Sequence, residues 1–231
     1  MKLSIVVTAD KYDELLALSL SRNLKSLPEA EFIFVGYGDH SGTVCANLYD
    51  HFRDKVKYYS SKSCNSNESK NIGIRRASGD FIISMDSDLI FTPELVSVLK
   101  SGMVRQGVMY RTTRIEIKND HRYVLFPIPK KSIVCESSGL PSDFLLIDRH
   151  LWAHTKGYCE TGQVVNTGDF LVWTLLRRGI HIELLGKVVH WNHSEENLVE
   201  DFKNNRWRTN GDLWGFPSAK EIIKNNIKYL E

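Results

Sequence analysis

Phe81-Ile82-Ile83-Ser84-Met85-Asp86-Ser87-Asp88 runs from a short apolar stretch into two aspartates separated by one serine. Such a β-branched and aromatic run reads as a strand buried on both faces. In open α/β sheets, ligands bind beyond the carboxyl ends of the strands. The two carboxylates therefore stand where a ligand is expected. One intervening residue lets both approach a hard cation such as Mg²⁺ or Mn²⁺, with water and phosphate oxygens completing its coordination. An isolated pair of aspartates would more simply end a strand in a solvated loop. What changes the balance is the company this pair keeps, a buried strand before it and a helix start after it.

Upstream, Leu3–Thr8, Phe32–Gly36 and Val56–Tyr59 repeat the pattern of a buried strand. Helical stretches alternate with them over Asp13–Leu27, Ser41–Phe52 and Glu68–Ala77. Strand and helix in alternation imply a Rossmann-like α/β fold, with a mostly parallel central sheet flanked by helices. Downstream, Thr92-Pro93-Glu94 supplies a cap, a proline and an acid for a helix running to about Ser101. The pattern then changes. Val108–Ile117 and Tyr123–Ile128 flank the turn signal Asn119-Asp120 and predict a small antiparallel hairpin. A strand follows at Phe144–Ile147, then a helix over Asp169–Arg178 stopped by Gly179. His181–Leu185 and Val188–His193 read as extended segments, and the polar tail from Ser194 as ending in a helix from about Ser218 to Leu230.

A chain of 231 residues with 42% hydrophobic content can bury one substantial core, and a single domain is expected over residues 1–231. Residues 1–105 are expected to form its ligand-binding half, 106–193 a second half and 194–231 a helical tail. Cys45, Cys64, Cys135 and Cys159 form no C-x-x-C pair, which argues against a zinc ribbon or a disulfide framework. The apolar runs are far shorter than the roughly 20 residues of a membrane span. No basic-then-apolar leader follows Met1, so a cytoplasmic protein is expected, with peripheral membrane attachment open. A net charge of +2 neither demands nor excludes a polyanionic partner.

Two further groups carry potential chemistry. His190 and His193 are three residues apart, a spacing at which both imidazoles can reach one metal or one substrate. Taken alone, a core histidine and a solvated one are as good a reading. Asp169 opens a helix, where the dipole favours a carboxylate in any case. Facing a bound donor, it would be placed to take the proton of an attacking hydroxyl.

Together these segments resemble the family-2 glycosyltransferases, which have the GT-A fold, from Leu3 to about His193. Leu3-Ser4-Ile5-Val6-Val7-Thr8 is similar to the family's opening strand. The specific match is Lys70-Asn71-Ile72-Gly73-Ile74, then Ala77-Ser78-Gly79-Asp80, then Asp86-Ser87-Asp88, which resembles the run R-N-x-G-x, A-x-G-[DE], D-x-D. Phe144-Leu145-Leu146-Ile147, Gly157-Tyr158, Gly168-Asp169 and Val188-Val189-His190 are similar to the acceptor half of β-1,4-galactosyltransferases and chondroitin synthases.

The resemblance implies an inverting transfer from a nucleotide-diphosphate sugar, by default a UDP-sugar, to a hydroxyl of a saccharide or glycolipid. It implies Mn²⁺ or Mg²⁺ held by Asp88, with Asp86, His190 and His193 as further ligands. Asp86 and Ser87 would touch the donor, with Lys70 and Asn71 on the nucleotide. Thr8, Ala9, Asp10, Tyr37 and Asp39 would line the base pocket, and Asp169 would be the catalytic base. Two departures stand out. Gly36-Tyr37-Gly38-Asp39 replaces the family's Asp-Asp-Gly-Ser turn, and Thr167-Gly168-Asp169 replaces its Glu-Asp pair, leaving Asp143 and Glu160 as reserve carboxylates.

Three other readings compete. A nucleotidyltransferase would bind metal and nucleotide similarly, but Ala9-Asp10-Lys11-Tyr12 lacks the glycines of a triphosphate loop. A sugar-binding module that has lost catalysis is compatible with the altered Tyr37 and Gly168-Asp169 segments. Arg206-Trp207-Arg208 in the tail would suit a hydroxylated nucleic-acid base as acceptor.

Overall fold

The computed structural model describes residues 1–63, 65–118, 121–125, 143–160, 167–191, 219–223 and 226–229. Its centre is a parallel block of four strands, β1 (Leu3–Ala9), β2 (Glu31–Gly36), β3 (Lys57–Ser61) and β4 (Phe81–Asp86). They lie in the order β3-β2-β1-β4, with Val7 opposite both Phe34 and Met85. Every residue of β1 is buried, as a strand covered on both faces requires.

Three helices connect these strands, α1 (Glu14–Ser26), α2 (Ser41–Phe52) and α3 (Ser66–Arg76). The Asp13 carboxylate caps α1 by accepting from Leu16 N at 2.8 Å. Leu16 and Leu20 of α1 and Val44 and Leu48 of α2 fill one face of the sheet, while Ile72 and Ile74 of α3 fill the other. Gly73 lets α3 approach β1 closely, since a Cβ there would lie 2.3 Å from Val6 Cγ1.

Beyond β4 the sheet becomes mixed. A short strand β5 (Leu89–Phe91) precedes α4 (Pro93–Ser101), which starts on a Thr92 cap and ends at Gly102 with φ 70°. The expected hairpin is β6 (Val108–Lys118) with β7 (His121–Leu125), paired antiparallel. β8 (Phe144–Asp148) runs antiparallel to β4, and α5 (Arg149–Thr155) and α6 (Thr167–Arg177) follow. Leu151 and Trp152 of α5 and Leu171, Val172 and Leu175 of α6 join α3 in covering the second face. β9 (His181–Trp191) lies parallel to β6 and antiparallel to β5. The two extended segments read from the sequence are thus one strand, with an irregularity opposite Arg111–Thr113.

One expectation is overturned. Instead of a helix from about Ser218 to Leu230, the tail contributes β10 (Ala219–Ile223) and β11 (Asn226–Tyr229). β10 pairs antiparallel with the edge of β3, and β11 pairs with β10. The open edge of β3 offers a row of backbone partners, and that tertiary opportunity outweighs the tail's helical spacing of isoleucines. No described helix is long and apolar enough to cross a membrane.

Candidate functional site

The carboxyl ends of β1 and β4 meet at one edge of the sheet, where Thr8 is the ladder partner of Asp86. A cleft of about 270 Å³ opens there. Thr8, Ala9, Asp10 and Tyr37 line one side of it, and Lys70, Asp86, Ser87 and Asp88 line the other. Eight of the sequence-derived candidates thus share one concavity.

The two aspartates have different partners. Asp86 Oδ1 accepts from Lys70 Nζ at 2.7 Å, and the same ammonium lies over the Tyr158 ring, 5.5 Å from its centre. Burial alone would make Lys70 easier to deprotonate. The Asp86 carboxylate outweighs it and holds the ammonium above its ordinary value. Lys70 is therefore a fixed positive charge at the cleft wall.

Asp88 Oδ2 instead lies 2.9 Å from His190 Nε2, with both side chains largely buried. The cause is a long-range pairing: β5 follows Asp88 directly, and its Leu89 is opposite His190 of β9. Two ligands of one octahedral cation, each about 2.1 Å from it and at right angles, are about 3.0 Å apart. The carboxylate oxygen suits either Mn²⁺ or Mg²⁺, while the imidazole nitrogen favours a first-row transition ion such as Mn²⁺ over the harder Mg²⁺. The pair fits such an ion provided that substrate and water complete its shell, because no cluster of three or more His, Cys, Asp or Glu ligands occurs among the described residues.

The segment between the aspartates and α4 is strapped to α1. Ser19 donates its hydroxyl hydrogen to the Ser87 carbonyl. Asn23 donates to the Leu89 carbonyl at 2.8 Å and accepts from Phe91 N at 2.9 Å. Sequence reasoning missed both residues, although two polar side chains four apart on a buried helix face were a usable signal.

Tyr37 is half-buried beside the cleft. Burial raises its phenol above the ordinary value; Asp10 and Asp86 add to this and Lys70 opposes it. It therefore offers a neutral O–H donor to a ligand.

Other candidates fall elsewhere. Asn71 does not face the cleft. Its amide donates to the Tyr158 carbonyl at 2.8 Å and to Glu160 Oε1 at 2.7 Å, and its Oδ1 accepts from Tyr158 N at 2.8 Å. Those bonds use its amide to fix the chain after α5, and they occupy one oxygen of the reserve carboxylate Glu160. Asp39 is exposed and does not line the cleft, because Gly38 turns the chain outward with φ 78°. Asp169 is in the first turn of α6 and is not among the residues that line the cleft. His193 lies outside the described residues, as does Arg206-Trp207-Arg208.

The other reserve carboxylate, Asp143, stands directly before β8. Its carbonyl accepts from Asp86 N at 3.0 Å and its Oδ2 accepts from Arg114 Nη1 at 2.9 Å. Burial raises its carboxyl, Arg114 opposes that, Asp86 adds to it and His190 opposes it.

Solved structures share this architecture. A mannosyltransferase from Pyrobaculum calidifontis in complex with GDP-Man and Mn²⁺ superposes with a TM-score of 0.58 at 11% identity, over 83% of this chain and 56% of that one. S. aureus TarS 1-349 in complex with UDP-GlcNAc gives 0.60 at 15% identity, over 85% of this chain and 60% of that one. The chain thus spans less than two thirds of either structure, and the likeness establishes the GT-A fold. No curated protein sequence matches the chain significantly. Residues 4–147, well over half of the chain, match the model of glycosyl transferase family 2, and the chain belongs to that family.

Proposed function

We propose that the chain is a divalent-metal-dependent, inverting glycosyltransferase. It moves a sugar from a nucleotide-diphosphate sugar, a UDP-sugar by default, to a hydroxyl of a saccharide or glycolipid. The observation that carries this reading is the 2.9 Å approach of His190 to Asp88 beside the cleft. Residues 102 positions apart in sequence supply a two-ligand site at the end of the strand where the fold binds ligands.

Asp88 and His190 would hold the cation, which when bound neutralises charge building on the departing diphosphate. Lys70 adds a fixed positive charge on the nucleotide side, and its bond to Asp86 orients that carboxylate toward the cleft. Thr8, Ala9, Asp10 and Tyr37 form the wall that would receive the nucleoside. The acceptor oxygen attacks the anomeric carbon, the bond to the diphosphate breaks, and the hydroxyl proton passes to Asp169. One in-line displacement inverts the anomeric centre.

Other solved members of the fold support a nucleotide-sugar donor, since one carries GDP-Man with Mn²⁺ and another UDP-GlcNAc. The pairing of Leu89 with His190, which brings the imidazole to Asp88, supports His190 as a ligand. The test is a panel of nucleotide sugars incubated with the protein and Mn²⁺, reading free nucleoside diphosphate. Release from at least one donor, stopped by EDTA, is expected. Silence across the whole panel would refute the proposal.

A further inference from the structure

β5 is the last strand of the sheet, and among the described residues only one of its edges meets another strand, that of β9. Three residues paired on one side make a weakly held element. One side chain takes the other edge. Asn23 of α1, only 2% exposed, donates to the Leu89 carbonyl at 2.8 Å and accepts from Phe91 N at 2.9 Å. Its amide thus supplies the donor and the acceptor that a neighbouring strand would offer. One turn earlier on α1, Ser19 donates to the Ser87 carbonyl. That hydroxyl also reaches the Leu16 carbonyl, at 3.0 Å, which makes Ser19 the weaker of the two ties. Helix α1 therefore grips the backbone on both sides of Asp88.

The helix itself gains nothing from this amide. Asparagine is a poorer helix former than leucine, and burying its amide is unfavourable unless both ends are hydrogen-bonded. Leu16 and Leu20 fill neighbouring buried positions of α1 without that cost. What the amide does fix is the place of Leu89, which follows Asp88 in the chain and lies opposite His190 in the sheet. We infer that Asn23 is a positioning residue: it holds the outer edge of β5, while Ser19 holds Ser87, and together they set the approach of Asp88 to His190 and hence the affinity for the cation. Asn23 does not line the cleft and acts only through that pair.

This inference rests on the metal reading of Asp88 and His190, and the experiment separates the two. Mn²⁺ alone is titrated into the unaltered chain, Asn23→Ala and Ser19→Ala, each well below its thermal transition, with free ion read by electron paramagnetic resonance. Alanine suits a helix and leaves room for water to meet the freed carbonyl and amide. Asn23→Ala should bind Mn²⁺ about tenfold more weakly, the lower end of what outer-shell partners contribute, and Ser19→Ala should lose less. Leu48→Ala, a truncation on α2 in the same buried cluster, should lower the thermal transition and leave Mn²⁺ affinity unchanged.

The second arm is a cycle with His190→Ala. A residue that acts by bringing His190 to Asp88 should matter little once the imidazole is gone, so the two losses should not add. Unchanged Mn²⁺ affinity in Asn23→Ala, or a loss of the same size with and without His190, would overturn the inference and leave the metal reading standing. Should Asn23→Ala fail to fold, Ser19→Ala carries the same cycle with a smaller loss, and its unchanged affinity would overturn the inference equally. An unaltered chain that takes up no Mn²⁺ would remove the metal reading and this inference with it.

Discussion

Glu31 and Asp143 are both carboxylates at the ends of strands in one sheet, and their surroundings are opposite. At the amino-terminal end, Glu31 Oε1 accepts from Lys57 at 2.6 Å, while Oε2 accepts from Ser78 N at 2.7 Å and from the Ser4 hydroxyl. Both oxygens are satisfied. Burial alone would raise the Glu31 carboxyl, but the bonds from Lys57, Ser4 and Ser78 hold it at about 2. At the carboxyl-terminal end, Asp143 keeps one buried oxygen without a donor among the described residues, and burial raises its carboxyl above the ordinary value. The first arrangement closes the starts of β1, β2 and β4 against one another. The second leaves a buried carboxylate oxygen unmatched where β4 ends, beside the aspartates of the cleft.

If the two ends divide stability from function in this way, mutations at the ligand end should cost activity and little fold. The largest effect is expected from Asp169→Asn, with transfer falling by about a hundred- to ten-thousandfold, the range of a lost general base. Donor binding with Mn²⁺ should be unchanged. A variant that transfers normally would remove Asp169 as the base and return Asp143 and Glu160 to contention. Asp88→Asn should abolish metal-dependent donor binding, a loss beyond the roughly 10- to 100-fold typical of outer-shell partners. Its thermal transition should stay near that of the unaltered chain, because the imidazole left behind can be neutral near physiological pH. Donor affinity unaffected by this change would refute the metal role.

His190→Ala should be milder than Asp88→Asn, weakening Mn²⁺ binding with partial recovery at high Mn²⁺, because the Asp88 carboxylate and the donor phosphates remain to hold the ion. Manganese titration followed by electron paramagnetic resonance reads this directly. Recovery separates a lost ligand from a collapsed strand, since excess metal cannot restore β9. An Mn²⁺ affinity that does not change would place His190 in the fold alone.

The same division governs what could be read from the residues. β1 to β4, α1 to α4 and the cleft wall from Thr8 to Asp88 follow from local pattern, because parallel strands buried on both faces announce themselves as unbroken apolar runs. Membership of the family was legible from Lys70 to Asp88 for the same reason. Asn71 was misplaced because a motif gives a residue's neighbours in sequence, and Asn71 acts on Tyr158, 87 positions away. The Asp88–His190 contact depends on β5, three residues long and too short to register as a strand before its pairing with β9 is known. The tail misled because isoleucines at helical spacing are equally compatible with a hairpin once β3 offers its edge. Asn225-Asn226, a turn-favouring pair, was the signal available against a helix.

The smallest expected effect tests the stability end. Glu31→Gln should cost about 1–2 kcal/mol at neutral pH, because the charged bond to Lys57 is lost while an amide oxygen still accepts from Ser4 and Ser78. Kinetics at the cleft should not change. The sign of the acid dependence follows from the depressed carboxyl: its folded value of about 2 lies below the ordinary 4.5, so the unfolded chain takes up the proton first as pH falls. The contribution of Glu31 is therefore complete above about 4.5 and disappears as pH falls toward 2. Denaturant unfolding at a series of pH values should show the unaltered chain losing its advantage over Glu31→Gln across that window, so that the two stability curves converge at low pH. Curves that stay parallel would mean that Glu31 is no better bonded in the folded chain than in the unfolded one, and the contrast between the two ends of the sheet would lose its stable half.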